Sequence, residues 1–206
     1  MNTQNSQNIK MSENIIIVDA DYIDKVAFNL IVNFERMLNR KIPAADFSQW
    51  IVDVALDGRL KPGNHETQVV LLHDKNKATL ENFVPSDFQR ELDKQAFADE
   101  KLGEFIINTI ATGSALAEKD DVLLDVLRIA LSHDEVHRIM LVPNAEEGNI
   151  CSVIRNTVKD VDDEHKHITL FAMTPMEGGN FKQQILGYSL MNAMGITSQE
   201  IDKSIR

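Results

Sequence analysis

Five short apolar runs recur along the chain, separated by longer stretches in which apolar residues return with helical spacing. Most of the runs are continuous and not alternating, which is typical of strands that are covered on both faces. They lie at residues 15–18, 69–72, 105–110, 139–142 and 168–171. The pattern therefore predicts a mostly parallel, five-stranded sheet.

The segments between these runs carry the periodicity of helices with one buried face. Two helices are predicted in the first connection, one after residue 22 and one that begins at Pro43 and ends at Gly58. Further helices are predicted at residues 86–98, 121–131, 146–158 and 181–194. A strand followed by a helical crossover, repeated four times, predicts a three-layer α/β/α sandwich of the doubly wound, Rossmann-like type.

The length of 206 residues suits one domain. Residues 1–13 are polar and rich in Asn and Gln, so we expect a flexible N-terminal leader there. Residues 14–195 are expected to form the single α/β domain. Thr197 and Glu200 stand at the spacing of a capping box, so residues 196–206 are expected to form a short C-terminal helix or tail.

Candidate chemistry begins where the first predicted strand ends, at Asp19 and Asp21. Ligands of doubly wound sheets bind outside the carboxyl ends of the strands, and Mg²⁺ or Mn²⁺ prefers carboxylate oxygens. This spacing therefore allows a metal site that would take a phosphoryl or phosphodiester substrate. The structural alternative is that the aspartates end the strand and cap the following helix.

Two further acids are candidates for the same edge of the sheet. Asp121 lies in the first turn of a predicted helix, and Glu147 follows the fourth predicted strand. A structural role is open for both, because Asp121 belongs to a polar stripe and Glu147 fits the reciprocal partner of an N-cap at Asn144. With the aspartate pair they form the candidate metal ligands: Asp19, Asp21, Asp121 and Glu147. The candidate catalytic residues are Asp19, Asp21 and Asp121.

The order of elements and acids over residues 15–175 resembles the PIN-like nucleases, and within them the NYN-type branch. The segment Ile-Ile-Ile-Val-Asp-Ala-Asp, which ends at Asp21, looks like their first motif, and residues 119–125 are similar to their lysine-to-aspartate helix entry. The resemblance implies a PIN-like fold, with Asp19 as the leading metal ligand and Asp121 and Asp125 as further acids. It also implies Mg²⁺- or Mn²⁺-dependent cleavage of RNA.

The chain departs from that family after the fourth predicted strand. Where the family typically shows Ser-Gly-Asp-x-Asp-Phe, Ala145 takes the place of the first aspartate and Glu147 that of the second. We therefore expect a degenerate nuclease fold that serves as a binding or regulatory module. The alternative is an active Mg²⁺- or Mn²⁺-dependent ribonuclease that uses Asp19 and the neighbouring acids.

The Asp-x-Asp spacing also resembles the haloacid-dehalogenase-type phosphohydrolases. That resemblance implies Asp19 as a nucleophile that forms an aspartyl-phosphate, and Asp21 as the general acid and base. A phosphohydrolase therefore stands as a third hypothesis beside the binding module and the nuclease.

Charge and composition narrow the choice of partners. The formal net charge of −11 gives no general electrostatic footprint for nucleic acid, so RNA is expected only if the chain is an active nuclease. A protein partner or a homodimer fits the binding-module hypothesis. The single cysteine, Cys151, cannot form an internal disulfide, and no apolar stretch reaches the roughly 20 residues of a membrane span. We therefore expect a cytoplasmic protein without a membrane segment.

Overall fold

The computed structural model describes residues 11–162 and 164–204 of the protein. Residues 1–10 of the predicted leader lie outside this part, as do residues 205–206 of the predicted C-terminal helix or tail. Met11 packs into the core, and the Ser12 hydroxyl donates a hydrogen bond of 2.5 Å to Glu66 Oε1. Met11 and Ser12, which belong to the predicted leader, therefore pack against the domain.

The sheet contains all five predicted strands and two more. Its strands are β1 (Asn14–Asp19), β3 (His65–Asp74), β5 (Ala96–Asp99), β6 (Gly103–Thr112), β7 (Arg138–Val142), β8 (His167–Ala172) and β9 (Lys182–Ile185). A separate two-stranded ribbon pairs β2 (Ala45–Asp46) with β4 (Phe83–Val84). The large sheet has the order β5-β6-β3-β1-β7-β8-β9, and only β5 runs antiparallel to its neighbour.

Helices cover both faces of this sheet. They are α1 (Ala20–Leu38), α2 (Phe47–Asp57), α3 (Leu116–Ser132), α4 (Ile150–Val158), α5 (Leu186–Ala193) and α6 (Ser198–Ser204). The helices α1, α2 and α5 pack with Ile16 and Val18 into one core cluster, whereas α3 and α4 pack with Ile15 and Ile17 into the other. Alternate residues of β1 therefore enter opposite cores, which explains why its apolar run is continuous.

The prediction of five strands was too low, because β5 and β9 fall inside predicted helices. Residues 86–98 contain only a short π-helix, Phe88–Leu92, before β5 pairs with β6. The Phe97 ring stacks on Phe105 with centroids 5.0 Å apart, which fixes β5 at the sheet edge. The strand β9 takes up the first part of the helix predicted at residues 181–194, so α5 begins only at Leu186. Both strands have only four residues and are partly exposed, so neither carries the continuous apolar run of a buried strand.

The strand order reverses at β1, and this reversal positions the site. The next two parallel strands along the chain, β3 and β6, lie on one side of β1, whereas β7, β8 and β9 lie on the other. The two connections that leave this region therefore diverge and open a crevice at the carboxyl end of β1. Asp19 is the last residue of β1 and stands at that crevice.

Candidate functional site

Two aspartates form the centre of the candidate site, and backbone hydrogen bonds hold both. Asp19 is the N-cap of α1, where its Oδ1 accepts a hydrogen bond of 3.0 Å from the Tyr22 N–H. Asp21, in the first turn of α1, accepts a hydrogen bond of 2.9 Å at Oδ2 from the N–H of Asp74, the last residue of β3. The capping role considered from the sequence is therefore present at Asp19, and both carboxylates lie at the sheet edge.

A lysine from the far side of the crevice bridges the two carboxylates. Lys119 lies near the start of α3, and its Nζ is 3.0 Å from Asp19 Oδ1 and in contact with Asp21 Oδ2. The Lys119 side chain is only 10% exposed, and that of Asp19 is 2% exposed. On the solvent side, Lys77 Nζ lies 3.2 Å from Asp21 Oδ1. The aspartate pair is thus a buried, lysine-bridged ion pair.

Burial and the bridging lysine act in opposite directions on the pKa values of this cluster. Burial raises the pKa of Asp19, although Lys119 and the Tyr22 N–H oppose that rise. Burial also acts to raise the pKa of Asp21, but the hydrogen bond and charge of Lys119 outweigh it and leave that pKa below its usual value. Burial acts to lower the pKa of Lys119, and the two carboxylates outweigh it and raise it. Lys119 therefore remains an ammonium ion at neutral pH.

Asp120, the neighbour of Lys119, also feels this cluster. Burial, followed by the charge of Asp19, raises the pKa of Asp120 to about 6. Asp121 is exposed and lies with Asp120 and Arg128 along a second groove, beside Gly148. Asp121 forms no hydrogen bond or ion pair with a side chain of the described residues. The acid that α3 brings toward Asp19 is thus Asp120, one residue before the predicted one.

The remaining predicted acids lie at the rim or outside the site. Glu147 lines the same cavity as the aspartate pair, but it forms an ion pair of 2.7 Å with Lys25, and both side chains are about half exposed. Asp125 is exposed and forms an ion pair of 2.9 Å with Arg128 along α3. The structure therefore brings together Asp19, Asp21 and, at the rim, Glu147, whereas Asp121 and Asp125 face away.

The crevice encloses a cavity of about 370 Å³ in which positive and negative groups balance. Its charged lining consists of Asp19, Asp21, Glu147, Lys25, Lys77 and Lys119. The position between the two carboxylates, where a bridging Mg²⁺ or Mn²⁺ would bind, is taken by the ammonium of Lys119. The residues therefore do not fit a metal ion unless Lys119 moves away. Among the described residues, no group of three or more His, Cys, Asp or Glu side chains is arranged around a common point suited to a metal.

Sequence reasoning did not identify the lysines of this site, although one signal pointed to Lys119. Helix N-termini disfavour positive side chains because the helix dipole places partial positive charge there. A lysine in the opening turns of α3, followed by Asp120 and Asp121, is therefore expected to have a carboxylate partner outside its own helix. For Lys25 and Lys77 the sequence holds no comparable signal, since their partners are distant along the chain.

The fold and site together define an α/β protein with a mostly parallel seven-stranded sheet and an ion-paired acidic crevice where the strand order reverses. Residues 8–201 match a family of unknown function (DUF6621), and the chain belongs to that family. Comparison with curated proteins gave no match, and comparison with solved structures gave none either. Within the described residues, none of the helices combines the length and apolar character that crossing a bilayer requires.

Proposed function

We propose that this protein is a binding or regulatory module built on a PIN-like, NYN-type nuclease fold, in which Lys119 replaces the catalytic metal ion. The observation that carries the proposal is the contact of the Lys119 ammonium with both Asp19 and Asp21. A nuclease of this kind needs its carboxylates free to hold a divalent cation and the phosphate that the cation binds. Here a side chain neutralises the same carboxylates.

The burial of the ion pair makes this replacement persistent. A metal ion that enters between Asp19 and Asp21 must first displace an ammonium that is fixed by α3 and shielded from water. A divalent cation would compensate the two carboxylates in place of the ammonium, but it would also have to offset the lost Lys119 contacts and the removal of part of its own water shell.

The loop after β7 supports the same proposal. Ala145 carries no carboxylate, and the two glutamates that follow make other contacts. Glu147 pairs with Lys25, and Glu146 Oε1 accepts a hydrogen bond of 3.5 Å from the Tyr22 hydroxyl. These contacts turn the potential ligands after β7 toward α1, where they close the rim of the crevice.

The phosphohydrolase hypothesis finds less support in the geometry. A nucleophilic aspartate needs an open carboxylate oxygen that can reach a phosphorus atom in line with the leaving group. The Asp19 side chain is 2% exposed, and its Oδ1 already accepts from Lys119 and from the Tyr22 N–H. The binding module is therefore the function that we favour.

The proposal is tested by Mn²⁺ titration of the wild-type protein and of Lys119→Met. Binding is measured by calorimetry or by the electron paramagnetic resonance spectrum of Mn²⁺. The wild type should bind Mn²⁺ no more tightly than about 1 mM at the crevice, whereas Lys119→Met should gain a site. Adding Asp19→Asn to Lys119→Met should remove the gained site. Lys159→Met makes the same change of charge at an exposed position and should behave as the wild type.

A cleavage assay on single-stranded RNA with Mn²⁺ completes the test. The proposed module should leave the RNA intact at high protein concentration. Tight Mn²⁺ binding by the wild type, together with RNA cleavage that Asp19→Asn abolishes, would contradict the proposal and identify a metal-dependent nuclease. This outcome can be read from the wild type and Asp19→Asn even if Lys119→Met does not fold.

A further inference from the structure

A second cavity, of about 330 Å³, lies at the amino ends of the parallel strands, whereas Asp19 lies at their carboxyl ends. Its walls come from the beginnings of β7, β8 and β9 and from the turn that follows α2. Four positive side chains line it: Arg59, Arg138, Lys166 and Lys182. We call it the basic cavity. It is distinct from the acidic crevice, because parallel strands place their first and last residues at opposite edges of the sheet.

The charge of the basic cavity runs against that of the whole chain. The protein has a formal net charge of −11, yet none of the described residues that line this cavity is an Asp or Glu. Three carboxylates interact with the positive groups through their charge. Glu13 interacts with Arg138, and Asp134 and Glu135 interact with Lys166. Glu13 is itself 2.5 Å from His65 Nδ1. The positive charge of the cavity is therefore only partly compensated.

Arg138 is half-buried, whereas Arg59 is exposed. Arg138 Nη1 donates a hydrogen bond of 2.6 Å to the Gly58 carbonyl, which fixes the guanidinium at the cavity wall. Burial, and then the like charge of Arg59, lowers the pKa of Arg138. Neither arginine forms an ion pair with a residue in 11–162 or 164–204. Two guanidinium groups that repel each other at one cavity leave several N–H donors for a shared anion.

Lys166 and Arg59 differ in how the chain holds them. Lys166 Nζ donates to the carbonyls of His133 at 2.6 Å and Val136 at 2.8 Å, so its charge is fixed in the cavity wall. Arg59 has a backbone φ of 64°, in the left-handed region that glycine adopts most easily. An arginine costs free energy in that conformation, and its side chain lines the cavity. The cavity therefore combines one fixed ammonium with two guanidinium groups.

The other walls suit a flat, partly apolar group. Phe181 lines the cavity and is half-buried, and Ile168 and Thr169 of β8 lie beside it. Asn180 donates through Nδ2 to the carbonyls of Val158 and Val161, which leaves its Oδ1 as an acceptor. Aromatic side chains bind nucleobases by stacking, and an amide oxygen accepts from their exocyclic N–H groups.

We propose that the basic cavity binds a nucleoside phosphate. The guanidinium groups of Arg59 and Arg138 match the paired oxygens of a phosphate, and Phe181 supplies a surface for the base. A volume of about 330 Å³ suits a small molecule better than a polymer. This site does not depend on whether the acidic crevice is catalytic, so the proposal stands apart from the proposed function.

The test is calorimetric titration of the full chain, at low salt, with four nucleoside diphosphates of different bases, with pyrophosphate and with a short single-stranded RNA. At least one nucleoside diphosphate should bind more tightly than about 1 mM and raise the melting temperature. Arg138→Gln should weaken that binding by at least about tenfold, since it removes charge-assisted hydrogen bonds. Arg90→Gln makes the same charge change at an 87% exposed side chain and should have no effect.

Arg59→Gln provides a second variant in case loss of the bond to Gly58 unfolds Arg138→Gln. It should also weaken binding by about tenfold. Absence of binding by every nucleotide tested would overturn the proposal, and so would equal binding by Arg59→Gln and Arg90→Gln. Binding of pyrophosphate as tight as that of the nucleotides would overturn the role of the base. Binding of RNA alone would overturn the small-molecule ligand.

Discussion

At the residue scale, one ammonium group determines the character of the acidic crevice. Lys119 is separated from Asp19 by 100 positions in the sequence, so no local pattern joins them. The sequence does predict Asp19 and Asp21 at a strand end, because a carboxylate pair after an apolar run is visible in a few adjacent letters. The position of Lys119 near a helix N-terminus indicates a carboxylate partner outside its helix, but the sequence does not say which one, because that contact depends on where α3 packs.

The first prediction concerns the stability of the bridged pair. Lys119→Met should lower the free energy of unfolding by about 3 kcal/mol at pH 7, because it leaves the buried Asp19 carboxylate without a positive partner and Asp21 with Lys77 alone. Denaturant unfolding measures this change. Lys159→Met, at an exposed position, should alter stability by less than about 0.5 kcal/mol. A loss of similar size in both variants would mean that the lysine bridge contributes little.

The second prediction concerns pH. The folded protein holds the pKa of Asp120 at about 6, above its ordinary value of 3.8, so the folded state binds a proton more tightly than the unfolded state. The contribution of Asp120 to stability should therefore fall as pH rises from about 4 to about 6 and stay level above that. Asp120→Asn removes this penalty. The stability of Asp120→Asn relative to the wild type should therefore be about 1 kcal/mol more favourable at pH 7 than at pH 4, allowing for solvent screening.

Unfolding midpoints of the two proteins at pH 4 and pH 7 give this difference directly. The exposed Asp125→Asn serves as the matched control, since its carboxylate pairs only with Arg128 at the surface. If the stability of Asp120→Asn relative to the wild type is the same at both pH values, burial and Asp19 do not shift this pKa as described.

At the scale of elements, the sequence predicts what is buried on both faces and misses what lies at an edge. Most of the five central strands carry continuous apolar runs, because β1 and its neighbours are covered by helices on both sides. The strands β5 and β9 have four residues each and are partly exposed, and β9 is mostly polar, with Gln183 and Gln184 at its centre. Each of these strands forms by pairing with a neighbour, β5 with β6 and β9 with β8, and this pairing is not visible in the sequence of the segment alone. The two segments are therefore predicted to be helical.

One element is held to the site by a buried carboxylate that the sequence does not single out. Asp24 of α1 is 8% exposed, and its Oδ1 accepts from the Asn82 N–H at 2.8 Å and from Asn82 Nδ2 at 3.1 Å. These bonds anchor the connection after β3 over α1. The same connection carries Lys77 to Asp21, so Asp24 helps to set the rim of the crevice.

The third prediction is that Asp24→Ala releases this connection. Loss of two hydrogen bonds to a buried carboxylate should cost about 2 kcal/mol of stability. In Asp24→Ala the Asn82 amide should also exchange with solvent faster than in the wild type, whereas amides of β1 and β3 should exchange at unchanged rates, because the opening is local. Hydrogen exchange read by mass spectrometry or NMR checks this. Asp125→Ala is the control, and equal protection of Asn82 in both variants would refute the anchoring role.

At the scale of the whole molecule, charge is distributed unevenly between the two edges of the sheet. The net charge of −11 predicts a surface that repels nucleic acid, yet four positive side chains line one cavity, and no Asp or Glu of residues 11–162 and 164–204 joins them there. Arg59, Arg138, Lys166 and Lys182 come from four separate parts of the chain, so their meeting follows from the topology. Composition gives the sum of the charges, and the fold decides where each sign is concentrated.

The lysine bridge also decides how the crevice depends on its surroundings. A divalent counter-ion is diffusible, and chelators or a fall in its concentration can strip it from a protein. The counter-ion of Asp19 and Asp21 is the Lys119 ammonium, which is covalently part of the polypeptide and is therefore present in every copy of the chain. Its supply needs no transport, no loading step and no selection against competing metals. The acidic crevice is therefore charge-balanced from the moment that α3 packs against β1.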